Sequence, residues 1–309
     1  MTTDAATAAT RGMSQRAWAL FAAMAVIWGI PYLFIKIAVV ELSPVAVAGW
    51  RTLLGAAILL PIAGHSRALR PALRAWPYVV AFGLIEMAVP WVLLGHAETR
   101  VPSGFAGLML AAVPIVGTVV SWLLGDHHAL TRVRLVGLGV GVVGVGALVG
   151  LDWAAGTIDA LSVVELLVVA VCYAVAPAMA ARKLAHVPSM GVVSLSLAFV
   201  ALLYLPMTVA SVHSGLPSAD VVLSVLVLAL VCTALAFVLF FELIAEAGPV
   251  RATVITFVNP AVAVALGVVV LAEPLTWGTL VGFPLVLLGS YWATRGPAAV
   301  EEPAEAAPS

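Results

Sequence analysis

Three ionisable side chains stand inside long apolar segments, where a charge is costly. Glu86 lies near the middle of one such segment, Arg51 in the first half of another, and Lys36 near the end of a third. A charge at the bilayer centre costs roughly 2.5–3.5 kcal/mol on insertion scales, so these groups are expected to face a cavity or a partner. Because burial favours the neutral form of a carboxyl, Glu86 is a candidate proton carrier. The alternative is a structural role, as a partner of Arg51 or as a neutral acid that joins two helices.

Aromatic side chains accompany these charges. Tyr32 and Lys36 share one helical face with Trp28 beside it, which suits either the wall of a solute site or a lysine whose amine reaches the membrane surface. Arg51 either binds an anionic group of a solute or pairs with the nearby carboxyl. Trp91 either stacks on a solute or packs against protein or lipid.

Prolines interrupt several of the apolar segments. Each removes a helical hydrogen bond and frees a carbonyl one turn back, and in lipid such groups are tolerated where they meet protein or line a cavity. Asn259 precedes one of these prolines and has an amide that can donate and accept. It is predicted either to line a pathway or to bond between helices. The prolines are Pro31, Pro90, Pro114, Pro177 and Pro260.

Acidic residues near the segment ends are interpreted as interfacial ion pairs or gates. Glu98 closes one apolar segment, and Glu242 and Glu246 lie one helical turn apart near the end of another. The basic neighbours predicted for Glu242 and Glu246 are Arg182, Lys183 and Arg251.

The composition predicts a membrane protein. Hydrophobic residues make up 63% of the 309-residue chain and charged residues 9%, against roughly 25% charged in soluble domains. A net charge of −1 without a basic stripe argues against nucleic acid as a partner. Asp126-His127-His128 is a weak metal candidate, because adjacent histidines on a helix point apart, so no metal or cofactor is predicted.

Ten apolar segments are long enough to cross a bilayer, which needs about 20 residues per helix. We number them spans one to ten. Their predicted bounds are 17–40, 44–63, 75–96, 102–124, 133–150, 161–182, 190–212, 219–243, 249–271 and 277–295.

Basic residues near the span ends predict the orientation, because cytoplasmic loops are rich in Lys and Arg. Eleven of them fall on one side and two, Lys36 and Arg100, on the other. Both termini are therefore predicted to be cytoplasmic, in a multi-pass protein of the cytoplasmic membrane. Residues 1–16 form a short cytoplasmic tail, and residues 296–309 form a Pro/Ala/Glu-rich tail predicted to be disordered.

The chain also repeats itself at an offset of 145–148 residues. Pro31 recurs as Pro177, Lys36 as Arg182, and Tyr173 stands near the position equivalent to Trp28. The repeats are residues 17–150 and 161–295, with five spans each. An odd number of spans inverts the second copy, so the prediction is an all-α membrane protein with ten transmembrane helices in two inverted five-helix repeats.

Several short motifs recur at fixed places along the spans. They are Trp28-Gly-Ile-Pro-Tyr-Leu-Phe-Ile-Lys36, Ser43-Pro44, Trp50-Arg51, Ala97-Glu98-Thr-Arg-Val-Pro-Ser-Gly-Phe-Ala106, Pro114 and Ala272-Glu273-Pro274-Leu275-Thr276. These motifs resemble those of the EamA-type drug/metabolite transporters. The resemblance covers about residues 17–295 and implies inverted repeats and the transport of small solutes, often export. One departure is His128, which stands where the family usually has Glu, with Asp126 two residues earlier.

These features predict a secondary active exporter of a small metabolite, amino acid-like solute or drug, working by alternating access as a monomer or homodimer with protons as the coupling ion. An intramembrane enzyme and a structural or regulatory membrane subunit are the alternatives. The sequence has no His-Glu-x-x-His motif and no phosphate-binding loop, which argues against an enzyme or an ATP-driven pump.

Overall fold

The structure, a computed structural model, describes residues 13–125, 131–213 and 216–294. Within those ranges the chain is helical apart from its connections, with no strand. In the first repeat the helices are Gln15–Ile27 and Pro31–Ala38 (span one), Pro44–His65 (two), the short Leu69–Arg74, Trp76–Gly83 and Val89–Glu98 joined by a π-helix at Leu84–Ala88 (three), Ser103–Leu110 and Val113–Leu123 (four), and Arg132–Ala154 (five).

The second repeat follows the same order. Its helices are Ala160–Lys183 (six), Ser189–His213 (seven), Ala219–Leu226 and Ala236–Ala247 joined by a π-helix at Val227–Leu235 (eight), Pro249–Ala252 and Asn259–Leu271 joined by a 3-10 helix at Thr253–Phe257 (nine), and Trp277–Thr294 (ten).

Nine helices of the described ranges are long and apolar enough to cross a membrane. Span ten is not among them, so the count of ten crossings stays a prediction. Its helix contains Thr279, Ser290 and several glycines, which lower its apolar character but are buried inside the protein. A helix whose polar and small residues face a neighbour needs less apolar surface than one surrounded by lipid.

Side-chain caps start several of the helices. The Ser14, Ser43 and Asp159 side chains accept hydrogen bonds from the backbone N–H groups of Ala17, Ala46 and Ser162. Such caps satisfy N–H groups that have no partner within the helix. Pro44 occupies the first helical position of span two, where its missing N–H costs nothing.

Contacts at the helix ends show that corresponding spans run in opposite directions. Arg100, after span three, bonds to Asp159 and Glu165 at the start of span six. Glu41, after span one, accepts a hydrogen bond from the backbone N–H of Ser218, just before span eight. The ends of spans one and three therefore lie on the same side of the molecule as the starts of spans six and eight.

The opposite side shows the reverse arrangement. Ser14 and Arg16, at the start of span one, bond to Glu246 and Glu242 at the end of span eight. We name the two sides by their charge. The acidic face carries Glu41, Glu98, Asp152, Asp159 and Glu273, and the basic face carries Arg16, Arg67, Arg70, Arg74, Arg132, Arg134, Arg182, Lys183 and Arg251.

Both repeats contain a π-helix at the same place. An offset of 146, the spacing of Pro31 and Pro177, carries residues 84–88 onto 230–234, inside Val227–Leu235. π-helical turns are rare and often occur at functional sites. Spans three and eight therefore share a local distortion that the hydrophobic pattern did not predict.

Small residues bring spans five and ten together. A side chain on Gly137 would collide with the backbone of residues 292–293, and one on Gly144 with the backbone of residues 285–286. On span ten, a side chain on Gly289 would lie 2.3 Å from the backbone nitrogen of Gly141. Close helix approach through small residues is a common way to join helices in membranes.

We expect Gly289→Leu to destabilise the protein by about 1–3 kcal/mol or more, because an overpacked interface must separate. The measurement is the thermal unfolding midpoint of the detergent-solubilised protein. Gly139→Leu is the matched control, since nothing lies within 4 Å of the position its side chain would take. Equal midpoints for the two variants would contradict tight packing between spans five and ten.

Candidate functional site

Arg51 is the centre of a polar cluster between the repeats. Its side chain is buried, with 7% of its surface exposed. Nε donates to Thr233 Oγ1 at 2.8 Å, and a terminal nitrogen donates to the Cys232 carbonyl at 3.4 Å. Both acceptors lie in the π-helix of span eight, so the distortion of that helix turns a hydroxyl and a carbonyl towards a cation from span two.

Aromatic rings surround the guanidinium. Its carbon lies 3.7 Å from the ring centre of Trp91, a close cation–π contact. Tyr32 from span one and Tyr173 from span six both lie within electrostatic range of Arg51. The cluster therefore draws on spans one, two, three, six and eight, from both repeats.

Glu86 lies in the π-helix of span three. Its Oε2 is buried and has no hydrogen-bond partner in the described part of the chain. Its titratable neighbours are Tyr173 and Cys172 of span six. An unpartnered carboxyl oxygen in a buried position is costly, so it is a candidate for a group that binds and releases a proton.

The ion pair expected between Arg51 and Glu86 does not form. No carboxylate within the described ranges lies at salt-bridge distance from Arg51. The Arg51 guanidinium instead bonds to the Thr233 hydroxyl of span eight and lies against the face of the Trp91 ring. The cation and the acid are both left without an opposite charge in direct contact.

Lys36 binds a helix end on the acidic face. Its Nζ donates to the backbone carbonyls of Glu98 at 2.5 Å and Val101 at 2.8 Å. These carbonyls belong to the end of span three, where a helix dipole favours a cation. Lys36 therefore binds the backbone at the end of span three, and its role in the wall of a solute site stays a prediction.

Glu273, which sequence analysis used only as a motif residue, caps a helix across the repeat boundary. Its carboxylate accepts hydrogen bonds from the N–H of Ser103 at 2.7 Å, the Ser103 hydroxyl at 3.0 Å and the N–H of Gly104 at 3.0 Å. A side chain on Gly267 would lie 2.3 Å from the Glu273 carboxylate, so a larger residue there would displace that carboxylate from its position. Ala272, which directly precedes Glu273, has a positive φ of 55°.

A charged network extends the acidic face towards span six. Glu165 contacts Nδ1 of His96 at 2.5 Å and accepts from Arg100 at 2.6 Å. Hydrogen bonds from Ser162, together with Arg100, hold the pKa of Asp159 below its ordinary value. These residues tie the end of span three to the start of span six.

Trp28 and Asn259 lie at the break in span one. Trp28 packs on Phe237 and Phe240 of span eight. Asn259, with its amide nitrogen facing two carbonyls, donates to Ile255 and Ala25, each at 3.0 Å. Of its two predicted roles, the structure shows the hydrogen bond between helices.

The predicted gate residues of the basic face bond to the start of span one. Glu242 pairs with Arg16 at 2.9 Å, with both side chains largely exposed, and Glu246 accepts from the Ser14 hydroxyl at 2.7 Å. Exposed pairs of this kind contribute little to stability. The third predicted gate residue, Glu98, makes no ion pair within the described ranges.

Two features of the candidate site had no sequence signal. Thr233 and the Cys232 carbonyl gain their role from the π-helix, which no residue pattern marked.

The metal candidate Asp126-His127-His128 lies outside the described residues, and the described ranges contain no group of three His, Cys, Asp or Glu side chains placed to hold a metal.

Comparison with known proteins identifies the family. The EamA-like transporter family matches residues 16–150 and 161–295, which are the two repeats. The chain belongs to the EamA-like transporter family. It is 32% identical to the inner membrane transporter YedA of Escherichia coli K12 over 292 residues, covering 88% of this chain and 90% of that protein.

A second relative is 24% identical over 289 residues, covering 90% of this chain and 95% of its own length. It is a protein of Salmonella typhimurium named "Probable amino-acid metabolite efflux pump". A solved crystal structure shares the fold with a TM-score of 0.64 at 20% identity, covering 90% of this chain and 96% of that one. The chain is therefore a multi-pass membrane transporter with the two-repeat EamA architecture.

We expect Thr233→Val to weaken this transporter's central cluster, because it removes the acceptor of a buried charged hydrogen bond, worth about 1.5–3 kcal/mol. The measurement is again the thermal unfolding midpoint. Thr52→Val is the matched control, because Thr52 is equally buried but bonds only to carbonyls of its own helix. If Thr52→Val lowered the midpoint as much as Thr233→Val, Arg51 would not depend on Thr233.

Proposed function

We propose that this EamA transporter is a secondary active exporter of a small amino acid-like solute, metabolite or drug, working by alternating access to the Arg51 cluster. The observation that carries the proposal is the buried guanidinium of Arg51, which has two neutral acceptors, an aromatic face and no carboxylate partner among the described residues. An anionic group of a solute would supply the missing charge. Trp91 and Tyr32 would contact the apolar part of the solute.

The place of the cluster supports alternating access. Arg51 and Trp91 belong to the first repeat, whereas Tyr173, Cys232 and Thr233 belong to the second. A site built by both repeats opens to one side or the other when the repeats rock against each other, as in other inverted-repeat transporters. The export direction rests on the name of the Salmonella typhimurium relative.

A proton gradient is the proposed energy source, with Glu86 as the carrier. Its unpartnered oxygen is buried one π-helical turn from the cluster, on the same span as Trp91. Protonation removes the cost of a buried charge. A carboxyl that is neutral when the site is closed and ionised when the site opens would couple proton release to solute movement.

The solute itself is the first thing to identify. A thermal-shift screen of amino acids, other metabolites and drugs would show which class raises the unfolding midpoint of the solubilised protein. Counterflow in proteoliposomes with the best candidate then tests transport. Absence of flux for every stabilising solute would contradict the proposal and favour a non-transporting role.

We propose that the basic face is cytoplasmic in the inner membrane, with both termini inside, because basic residues concentrate there. In a background without Cys172 and Cys232, a cysteine at exposed Ser66 should resist a membrane-impermeant maleimide applied to intact cells. A cysteine at exposed Ala155 should react. Ala155 is preferable to Gly156, whose φ of +69° would strain a side chain. The opposite labelling pattern would reverse the orientation.

We expect Glu86→Gln to bind the solute and catalyse solute exchange but to lose uphill transport driven by a pH gradient. Glutamine keeps the shape and hydrogen bonding of the side chain but does not titrate. Both assays use proteoliposomes loaded with the identified solute, and Asp220→Asn, which changes an exposed carboxyl, is the control. Full gradient-driven transport by Glu86→Gln would show that coupling resides elsewhere.

A further inference from the structure

Glu273 joins the two repeats at the acidic face by three hydrogen bonds. One carboxylate oxygen accepts from the N–H of Ser103, and the other accepts from the Ser103 hydroxyl and the N–H of Gly104. Ser103 is fully buried and Glu273 is half-buried. Hydrogen bonds to an ionised group are roughly twice as strong as neutral ones. The segment before span ten is therefore firmly attached to the start of span four, which belongs to the other repeat.

The backbone before Glu273 adopts a strained conformation that places its carboxylate. Span nine ends at Ala272, which has left-handed angles of φ 55° and ψ 31°. The N–H of Glu273 bonds to the Gly267 carbonyl at 3.0 Å. A left-handed conformation is unfavourable for a residue with a side chain and persists only where surrounding contacts hold it. The bonds of Glu273 to span four are contacts of that kind, so breaking them also releases the strain.

These bonds close the contact between spans four and nine next to the central cluster. A side chain on Gly107, one turn after Ser103, would lie 2.6 Å from Cβ of Ala263 in span nine and 3.6 Å from the ring of Tyr32. Tyr32 is a member of the cluster. All residues of the helix that Ser103 begins are buried. A passage from the cluster to the acidic face between these spans requires them to separate, which breaks the bonds of Glu273.

The equivalent place in the second repeat lacks two of the three donors. At an offset of 146, Ser103 corresponds to Pro249, and each begins the first helix of its span. Proline has no backbone N–H, and its side chain has no hydroxyl. The acceptor differs as well, since Glu273 corresponds at an offset of 145 to His128, which lies outside the described residues. The two faces therefore cannot be closed equally strongly by this contact.

We propose that Glu273 is the gate residue of the acidic face and that its bonds bias the empty transporter towards conformations that open on the basic face. The inference rests on the proposed function, because a gate requires a central cluster that is reached from the two faces in turn. The bias suits an exporter, since the basic face is the cytoplasmic one in the proposed orientation and the solute enters there. Solute binding must then favour the state in which spans four and nine separate.

Two buried alanines at equivalent positions report the opening of each face. Ala106 in span four and Ala252 in span nine are related by the offset of 146, and neither has any exposed surface. In a background without Cys172 and Cys232, Ala106→Cys and Ala252→Cys are each reacted with a maleimide in the detergent-solubilised protein. The labelling rate then measures how often the cysteine becomes accessible. This assay needs neither a solute nor a membrane orientation.

We expect Glu273→Gln to label Ala106→Cys at least about tenfold faster, which corresponds to about 1.4 kcal/mol, and to label Ala252→Cys more slowly. Glutamine keeps the size of the side chain, but its NH₂ group cannot accept the bonds that the second oxygen accepts. Asp220→Asn, which changes an exposed carboxyl at the start of span eight, is the control and should change neither rate. An unchanged rate at Ala106→Cys would overturn the gate. Faster labelling of both cysteines would also overturn it, because that result indicates general loosening of the fold.

A second variant tests the donors of the same bonds. Ser103→Pro copies the residue of the second repeat and removes two donors, and proline is tolerated at the first position of a helix. Pro102 already has the extended angles that a following proline requires, with φ −59° and ψ 147°. We expect Ser103→Pro to accelerate the labelling of Ala106→Cys as Glu273→Gln does. The double variant should add little, because both changes break the same contact. Fully additive effects would overturn the assignment of the gate to this contact.

Failure of the gate and failure of the proposed function are distinguishable. Absence of flux for every stabilising solute would contradict the exporter, whereas the labelling rates would still show whether Glu273 keeps the acidic face closed. If transport is found but neither Glu273→Gln nor Ser103→Pro changes the labelling of Ala106→Cys, the exporter stands and the gate is wrong.

Discussion

The hydrocarbon core contains no water to bond a free backbone group, so every break in a spanning helix needs a partner inside the protein. At the breaks in the described spans one, three, four and eight, a side chain of the opposite repeat bonds to a backbone carbonyl. Asn259 bonds to Ala25, Tyr204 to Ala88, Ser290 to Ala111, and Arg51 to Cys232. The distortions of one repeat are thus satisfied by the other.

These hydrogen bonds between the repeats affect how the protein can move. A break in a helix is where the chain bends most easily, and these four breaks are also contacts between the repeats. Rocking one repeat against the other must rearrange the same bonds that hold the bends. Spans five and ten are different, because their glycines bring two unbroken helices, one from each repeat, into close contact.

The scaffold was largely predictable from the sequence, and the contacts of its polar groups were not. Hydrophobic length, prolines and the repeat offset predicted the spans, and the motifs predicted the family. The alternative in which Arg51 pairs with Glu86 was wrong, because proximity in the membrane does not decide which of several acceptors an arginine uses. The Thr233 hydroxyl lies 2.8 Å from Nε of Arg51 because span eight is π-helical there. No residue type in the sequence predicts a π-helix.

The chemistry is less symmetrical than the fold. Glu86 corresponds, at an offset of 146, to Cys232, and the second repeat therefore has a thiol where the first has an acid. Lys36 and its counterpart Arg182 make the same kind of contact, since each binds a backbone carbonyl at the end of a helix of the first repeat. Lys36 binds the carbonyl of Glu98, and Arg182 binds that of Leu124.

Both repeats thus have a cation that binds a helix end, whereas the buried acid Glu86 has no acidic counterpart at the offset of 146. A proton that binds to Glu86 is held by the first repeat, whereas Tyr173 and the acceptors of Arg51 belong to the second. In the proposed alternating access, movement between the repeats would change the surroundings of Glu86 without moving it along its own helix. That is the condition under which one carboxyl can meet the two sides of a membrane in turn.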